Sequence, residues 1–230
     1  MNKAVQRMFG QIPATYELAN TAMTLGLDRI WRQAAARIAV AHGGSRWLDM
    51  CCGTGDMTLE LRRQGGDAPV IIGADFVLPM LERASERAAG TGMAFTAADA
   101  TSLPFGDDQF DLVTVSFASR NLNTGREAFR AAWSEMARVI RPGGALVIVE
   151  TSQPPNRFVR WVYHTFVRLT VPVLGRLISG SREAYAYLAR TIPRFLDAEE
   201  FAAVLVECGF VEVAAHRMTL GAVAILVAAK

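Results

Sequence analysis

The stretch "LDMCCGTGDMT", Leu48 to Thr58, sets two cysteines and a glycine–threonine–glycine turn behind a short apolar run. Two chemistries are open to it. Cys51 and Cys52 could hold a metal or cycle through a disulfide, or the glycines could wrap the backbone around a nucleotide. Adjacent side chains on a strand point to opposite faces, and no second Cys/His pair lies nearby, so metal ligation is poor. No metal is expected, and the cysteines read as small apolar packing residues. Gly53 and Gly55 permit close backbone approach and angles closed to other residues. A pyrophosphate loop needs G-x-G-x-x-G, yet Thr58 stands at the third glycine, and no Walker lysine follows. The loop therefore suits a nucleoside-like ligand without a pyrophosphate, which points away from NAD and ATP. Asp75 follows about 20 residues on, where an acid at a strand end accepts hydrogen bonds from both ribose hydroxyls. Asp99, in "AADATSLPF", closes the next apolar run and can face an adenine amino group.

Such residues work only if strands and turns deliver them to one edge. "SRWLDMCC" reads as a buried strand, and "DMTLELRRQG" resumes helical spacing until Gly65 and Gly66. The rhythm repeats: strand "PVIIGAD", helix "VLPMLERASERAAG", strand "MAFTAAD", strand "FDLVTVSFA", helix "REAFRAAWSEMARVI" ended by "RPGG", and strand "ALVIVET". Strands apolar on both faces, alternating with helices, imply a parallel sheet with right-handed crossovers. After Thr151 comes a long helical insertion, in which Pro172 would interrupt any continuous helix. The helix "DAEEFAAVLVECGF" and two strands, "VEVAAHRMTL" and "AVAILVAAK", close the chain. The expectation is one α/β domain over residues 1–230, with a helical arm at 1–40 and a helical cap at 152–195.

Composition excludes several classes. At 230 residues and 51% hydrophobic, the chain can build a core without staples. A net charge of +2 gives no global basic field, so no nucleic-acid partner is expected. Three cysteines form no paired framework, the first residues carry no signal-peptide apolar run, and no charge-free stretch is long enough to span a bilayer. A cytoplasmic protein is expected.

Acids after three successive strands, with the Gly-Thr-Gly turn, are the pattern of class I S-adenosylmethionine-dependent methyltransferases. That resemblance implies a Rossmann-like fold with a seven-stranded, mostly parallel sheet and helices on both faces. A narrower resemblance lies outside this pattern. In "MFGQIPATYELANTAMTLGLDRIWR", Phe9, Tyr16, Asn20, Thr24, Gly26, Asp28, Arg29, Trp31 and Arg32 follow in order the N-terminal signature of the ubiquinone/menaquinone biosynthesis C-methyltransferases, the UbiE family. "SFASRN", Ser116 to Asn121, is similar to its Ser-Phe-Gly-x-Arg-Asn block, and "RVIRPGGALVIVE" and "SREAYAYLARTIPRF" follow other blocks. The chain departs from the family at Ala118, at Phe76 and Leu78, and in a final strand without the usual histidine-glycine ending.

The resemblance implies S-adenosylmethionine as cofactor, with Gly53, Thr54, Gly55, Asp75, Phe76, Asp99, Ala100 and Ser116 around it. It further implies methyl transfer to a ring carbon of a polyprenylated quinol, with another lipophilic small molecule as the alternative acceptor. A cation beside the ring hydroxyl would stabilise developing phenolate charge. Arg120 is the candidate, and a structural ion pair is its other reading. Asn121 could bond a ring oxygen or cap a turn. Tyr16 and Asn20 lie one helical turn apart and could form a lid or simply pack. His164, with Tyr163 and Tyr185, is a candidate base in the cap, or a satisfied histidine among apolar neighbours. "RFVRWVYHTFVRLTVPVLGRLISG" studs apolar clusters with Arg157, Arg160, Arg168 and Arg176 and contains no acid, which suits a segment at the membrane surface or, equally, a buried cap with its arginines in solvent. Peripheral membrane contact and a homodimer complete the expectations.

Overall fold

The computed structural model describes residues 6, 9–10, 13–179 and 182–230; the remaining first residues of the expected arm lie outside it. Its centre is one sheet of seven strands: β1 (Arg46–Met50), β2 (Val70–Asp75), β3 (Ala94–Ala97), β4 (Phe110–Ser116), β5 (Ile140–Thr151), β6 (Glu212–Met218) and β7 (Val223–Ala229). They lie in the order β3-β2-β1-β4-β5-β7-β6. Only the pairs β5/β7 and β6/β7 are antiparallel. The strand order reverses between β1 and β4, which opens a crevice beyond their carboxyl ends. Met50 is level with Ala74 on one side and Val115 on the other. The turns that begin at Cys51, Asp75 and Ser116 therefore emerge side by side.

Helices cover both faces. On one, α6 (Arg126–Val139) and α9 (Ala198–Glu207) bury Phe129, Trp133, Phe201 and Phe210 against the sheet. On the other, α2 (Leu27–Ala41) and α3 (Asp56–Gly65) pack Trp31, Ala35 and Leu61 over Ile71, Leu112 and Val147. α9 opens with a reciprocal cap: Asp197 Oδ1 accepts from Glu200 N, and Glu200 Oε2 accepts from Asp197 N, both at 2.9 Å. A third apolar cluster lies over the strand ends. There α1 (Pro13–Thr24) meets α7 (Arg157–Ser179) and α8 (Arg182–Thr191) through Met23, Val167, Val171 and Tyr185, beside α4 (Leu78–Arg87). Arm and cap thus form one layer above the crevice.

Four expectations are corrected. α7 runs unbroken through Pro172. Proline removes only the bond to the carbonyl four residues back, on the solvent-facing Arg168, where water can replace it. β3 ends at Ala97, two residues before Asp99. β5 begins at Ile140 and passes through Arg141-Pro142-Gly143-Gly144 with a register shift against β4, so "RPGG" is an irregular strand entry. Cys51 and Cys52 lie past the end of β1, Cys51 in left-handed backbone at φ 57°. Burial pushes both thiols well up, which keeps them protonated.

The arm is fastened by charge. Arg32 on α2 donates through Nη1 to Asp28 Oδ2 (2.6 Å) and through Nε to Ser116 Oγ (3.2 Å), and its Nη2 lies 3.7 Å from Asp56. Thr24 Oγ1 donates to the other oxygen of Asp28 (2.9 Å), and Trp31 Nε1 donates to Thr219 Oγ1 (2.9 Å). Both members of the Arg32–Asp28 pair are buried. Truncating one partner strands a charge in low dielectric, which costs about 3–5 kcal/mol. Arg32→Ala is expected to lose about 3 kcal/mol in denaturant unfolding, near the low end because Thr24 still serves Asp28. The paired change Arg32→Met with Asp28→Leu is expected to recover most of it. A loss below about 1 kcal/mol in the single variant would place the pair among solvent-screened bridges.

Candidate active site

The floor of the crevice is built from one carboxylate and the main-chain N–H groups around it. Asp75 Oδ2 accepts from Gly53 N and its Oδ1 from Val77 N, each at 2.8 Å. The Phe76 main-chain N–H is a third backbone donor to this carboxylate, which also lines the cleft above it. Burial raises the Asp75 carboxyl, and the backbone donors oppose that shift. Gly53 and Gly55 take φ of 55° and 85°, the region where an L side chain is strained. Two other residues at this edge accept that strain, Cys51 and Phe117 (57° and 54°), at roughly 1–3 kcal/mol each.

A narrow cleft of about 60 Å³ runs over this floor, lined by Gly53, Asp75, Phe76, Ser116 and Asn121. Gln6 and Phe9 lie across it, and Gln6 Nε2 donates to Phe76 O at 3.4 Å. The space is well under the roughly 300 Å³ of an ordinary small-ligand pocket. Asn121 Oδ1 is buried and without a hydrogen-bond partner among the described residues, an acceptor left over at the cleft.

The other residues expected around a cofactor are placed differently. Thr54 is buried outside the cleft lining; its carbonyl and hydroxyl oxygens both accept from Arg87 Nη1, at 2.7 and 3.2 Å. Gly55 abuts Ala84 of α4, where a Cβ would approach to 3.2 Å. Asp99 Oδ1 accepts from Thr101 N and Oγ1, at 2.9 and 2.8 Å, and Ala100 is fully buried. Neither Asp99 nor Ala100 lines the cleft. Ser116 does, with its oxygen already accepting from Arg32.

A second cavity of about 270 Å³ opens between the arm, the cap and the ends of β4, β5 and β7. Its walls are mostly apolar, among them Met23, Trp31, Val167 and Leu188, and its polar lining includes Tyr16, Asn20, Arg120 and Tyr163 together with the Asp28–Arg32 pair. Phe9, Tyr16 and Phe117 line both spaces, so the two meet at three aromatic rings. Burial raises the Tyr16 and Tyr163 phenols, which keeps both as neutral donors.

Arg120, on the short helix α5 (Ser119–Leu122), faces this cavity from a buried ion pair. Its Nη1 donates to Glu150 Oε1 (3.0 Å) and Thr151 Oγ1 (3.1 Å), while its main-chain N donates to Glu150 Oε2 (3.3 Å). Thr151 N and Oγ1 also donate to Glu150 Oε1, so the carboxylate is held from several sides. Arg120 is thus held in the structural ion pair, and it also lines the apolar cavity. His164 is elsewhere. Its Nε2 lies 2.7 Å from Gln153 Oε1, and Gln153 Nε2 donates to Ile192 O (2.9 Å), which makes His164 Nε2 the protonated nitrogen. Burial, with Arg168 and Arg160, pushes its pKa down, and it lines neither cavity. It pins α7 to the loop after β5. Tyr185 is buried against α7 and also lies off both cavities.

Three contributors were missed in the sequence. Glu150 holds Arg120. Arg87 joins Thr54 to Asp56 (2.8 Å) and to Glu17 of the arm (3.2 Å). Asp49, fully buried in β1, accepts from Thr58 Oγ1 (2.5 Å) and Thr114 Oγ1 (2.8 Å) beneath the glycine turn. The usable signal for Asp49 and Glu150 was a carboxylate inside an otherwise apolar strand, which demands a buried partner.

The family model of the ubiE/COQ5 methyltransferases matches residues 1–230. The ubiquinone/menaquinone biosynthesis C-methyltransferase UbiE of Pseudomonas entomophila is 36% identical over 227 residues, covering 97% of this chain and 87% of the relative. The demethylmenaquinone methyltransferase of Roseiflexus castenholzii is 39% identical over 224 residues, covering 96% and 91%. Among solved structures, a SAM-dependent methyltransferase from Thermotoga maritima superposes with a TM-score of 0.63 at 18% identity, covering 97% of this chain and 99% of that one, a likeness of fold.

Asp49 gives the site a pH signature. Burial raises its pKa from 3.8 to about 6, with the Asp75 charge adding to the shift and the two threonine hydroxyls opposing it. Between those values the folded chain holds a proton that the unfolded chain has released, so this group's contribution to stability falls as pH rises through the window. Asp49→Asn keeps an acceptor and cannot ionise. Relative to the parent, its unfolding free energy is expected to rise by on the order of 3 kcal/mol from about pH 4 to pH 7. Parallel pH profiles for the two proteins would show that Asp49 is ionised throughout.

Proposed function

This chain belongs to the ubiE/COQ5 methyltransferase family, and from that premise we propose how its two cavities divide the work of methylating a quinol. It is an S-adenosylmethionine-dependent C-methyltransferase of quinone biosynthesis. We infer that the narrow cleft takes the nucleoside and the apolar cavity takes the ring of a demethylmenaquinol or of a demethylated benzoquinol precursor. The observation that carries this reading is the shared aromatic junction of Phe9, Tyr16 and Phe117.

The residues present fit the cofactor. Asp75 lines the cleft as an acid for the ribose hydroxyls, the main chain at Gly53 offers close approach, and Asn121 offers a leftover acceptor. When bound, S-adenosylmethionine supplies a sulfonium methyl that is already activated. What remains for the chain is to exclude water, align the acceptor and stabilise charge on the ring. Arm and cap close the apolar cavity, and its size suits a fused or substituted ring. As the ring hydroxyl passes its proton to a water beside Arg120, negative charge grows on oxygen and enriches the neighbouring carbon. That carbon takes the methyl and then sheds its own hydrogen as a proton to water. Arg120 acts as a fixed positive charge that stabilises the ring oxygen and orients water. Glu150 and Thr151 hold that guanidinium so that no reorganisation is needed as charge develops.

For the tail, the cavity lining runs from buried Val167 out to Phe166 and Leu25, which are 42% and 83% exposed. A polyprenyl chain attached to a ring inside would leave along this apolar route. The described helices include none long and apolar enough to cross a membrane, and the reading is of a protein that works against a lipid surface.

The test is methylation of demethylmenaquinol and of the benzoquinol precursor by purified protein with methyl-labelled cofactor. Label on a ring carbon of at least one acceptor is expected. Arg120→Ala is expected to lower turnover roughly a hundredfold, as loss of one fixed charge-stabilising group does, with cofactor affinity nearly kept. Label on neither quinol, or unaltered turnover in the variant, would contradict the assignment.

A further inference from the structure

The cap carries a surface that methyl transfer does not explain. α7 packs Tyr163, Val167, Val171 and Leu174 against the molecule, yet its opposite side is also apolar. Phe158, Trp161, Leu169 and Leu177 are 71, 65, 67 and 76% exposed, and Val173 stands between them at 57%. α7 therefore leaves an apolar stripe without a partner, with exposed Arg176 set into it. At about 100° per residue, Arg168 falls roughly a quarter to a third of a turn from that stripe. There it joins Arg190 and Arg194 around a hollow of about 400 Å³ floored by Pro172, Ala186 and Pro193. Among the described side chains no carboxylate lines the hollow, and none of the three arginines has an ion-pair partner. The imbalance is local. Residues 152–195 hold seven arginines and one glutamate, while the whole chain is only +2, so the rest of the molecule is net acidic.

We propose that this side of the cap is a lipid-docking surface, with the hollow of Arg168, Arg190 and Arg194 receiving the phosphate headgroup of an anionic phospholipid and the α7 stripe entering the acyl layer. Guanidinium groups match phosphate oxygens in geometry and charge. A tryptophan beside them suits the headgroup level. Phe166 belongs both to α7 and to the lining of the apolar cavity, so the route for the tail opens onto the docked surface. A second copy of the chain is a poorer occupant. A two-fold interface would bring one uncompensated arginine cluster toward its own image, with like-charge repulsion. The inference rests on the lipophilic-acceptor reading for its purpose; the hollow and stripe are independent of it.

The test is flotation of the full chain with vesicles of phosphatidylcholine, with and without phosphatidylglycerol, alongside turnover of a short-tailed demethylnaphthoquinol in detergent. Binding is expected only with phosphatidylglycerol, and to fall roughly a hundredfold in Arg168→Gln/Arg190→Gln/Arg194→Gln. Trp161→Ser/Leu169→Ser is expected to weaken binding comparably. Detergent turnover is expected to be unchanged in both, because none of these residues lines either cavity. Equal binding to both vesicles, or full binding by the arginine variant, would overturn the proposal. So would release by millimolar inorganic phosphate at constant ionic strength, which would make the hollow a free-phosphate site. A dimer in light scattering that the Trp161/Leu169 variant dissociates would assign the surface to a second copy instead. Retained phosphatidylglycerol binding by a protein inactive on every quinol would overturn the catalytic reading and leave this one standing.

Discussion

The guanidinium of Arg32 is the constraint on which the site depends. It pairs with Asp28 on its own helix, donates to Ser116 at the end of β4 and lies over the Phe117 ring, 5.3 Å from its centroid. Phe117 is one of the three rings between the cavities, so the position of that junction follows from a buried charge in the second turn of α2. Arg87 makes the matching connection on the other side, from the Gly-Thr-Gly turn to Glu17 on α1. Much of the N-terminal signature is therefore architectural. Thr24, Asp28, Trp31 and Arg32 bond one another or the sheet ends, and Tyr16 and Asn20 face the cavity.

Parallel strands explain why the chemistry gathers where it does. β1, β2 and β4 finish at one level, and each hands its next residues to the crevice. The turns there are tight enough that Cys51 and Phe117 adopt left-handed backbone, and the strain is borne by neighbours that leave no alternative. Asp75 is central to that over-determination, since one carboxylate fixes Gly53 and Val77 together.

The alternating strands, the glycine turn and Asp75 were legible because each is a local signal: period, turn chemistry and spacing along one chain segment. The seven-stranded sheet followed from that alternation, joined to the resemblance. What escaped notice depends on contacts distant in sequence. Asp49 acquires its role from Thr114, Glu150 from Arg120, and Ser116 from Arg32. Thr54, Asp99 and Ala100 were placed by position in a motif, and their neighbours in space turn them to other partners or bury them. Pro172 misled because a proline on the wet side of a long helix costs less than one inside. His164 carried the residue type of a base without the location of one.

The central claim is that donor and acceptor occupy separate cavities that meet at Phe9, Tyr16 and Phe117. A crystal structure with S-adenosylhomocysteine and a short-tailed demethylnaphthoquinol tests it most directly. The account predicts ribose hydroxyls on Asp75, the quinol ring among Tyr16, Phe117 and Arg120, and its unsubstituted carbon pointing at the sulfur across the aromatic junction. A ring bound outside the apolar cavity, or a nucleoside away from Asp75, would contradict it.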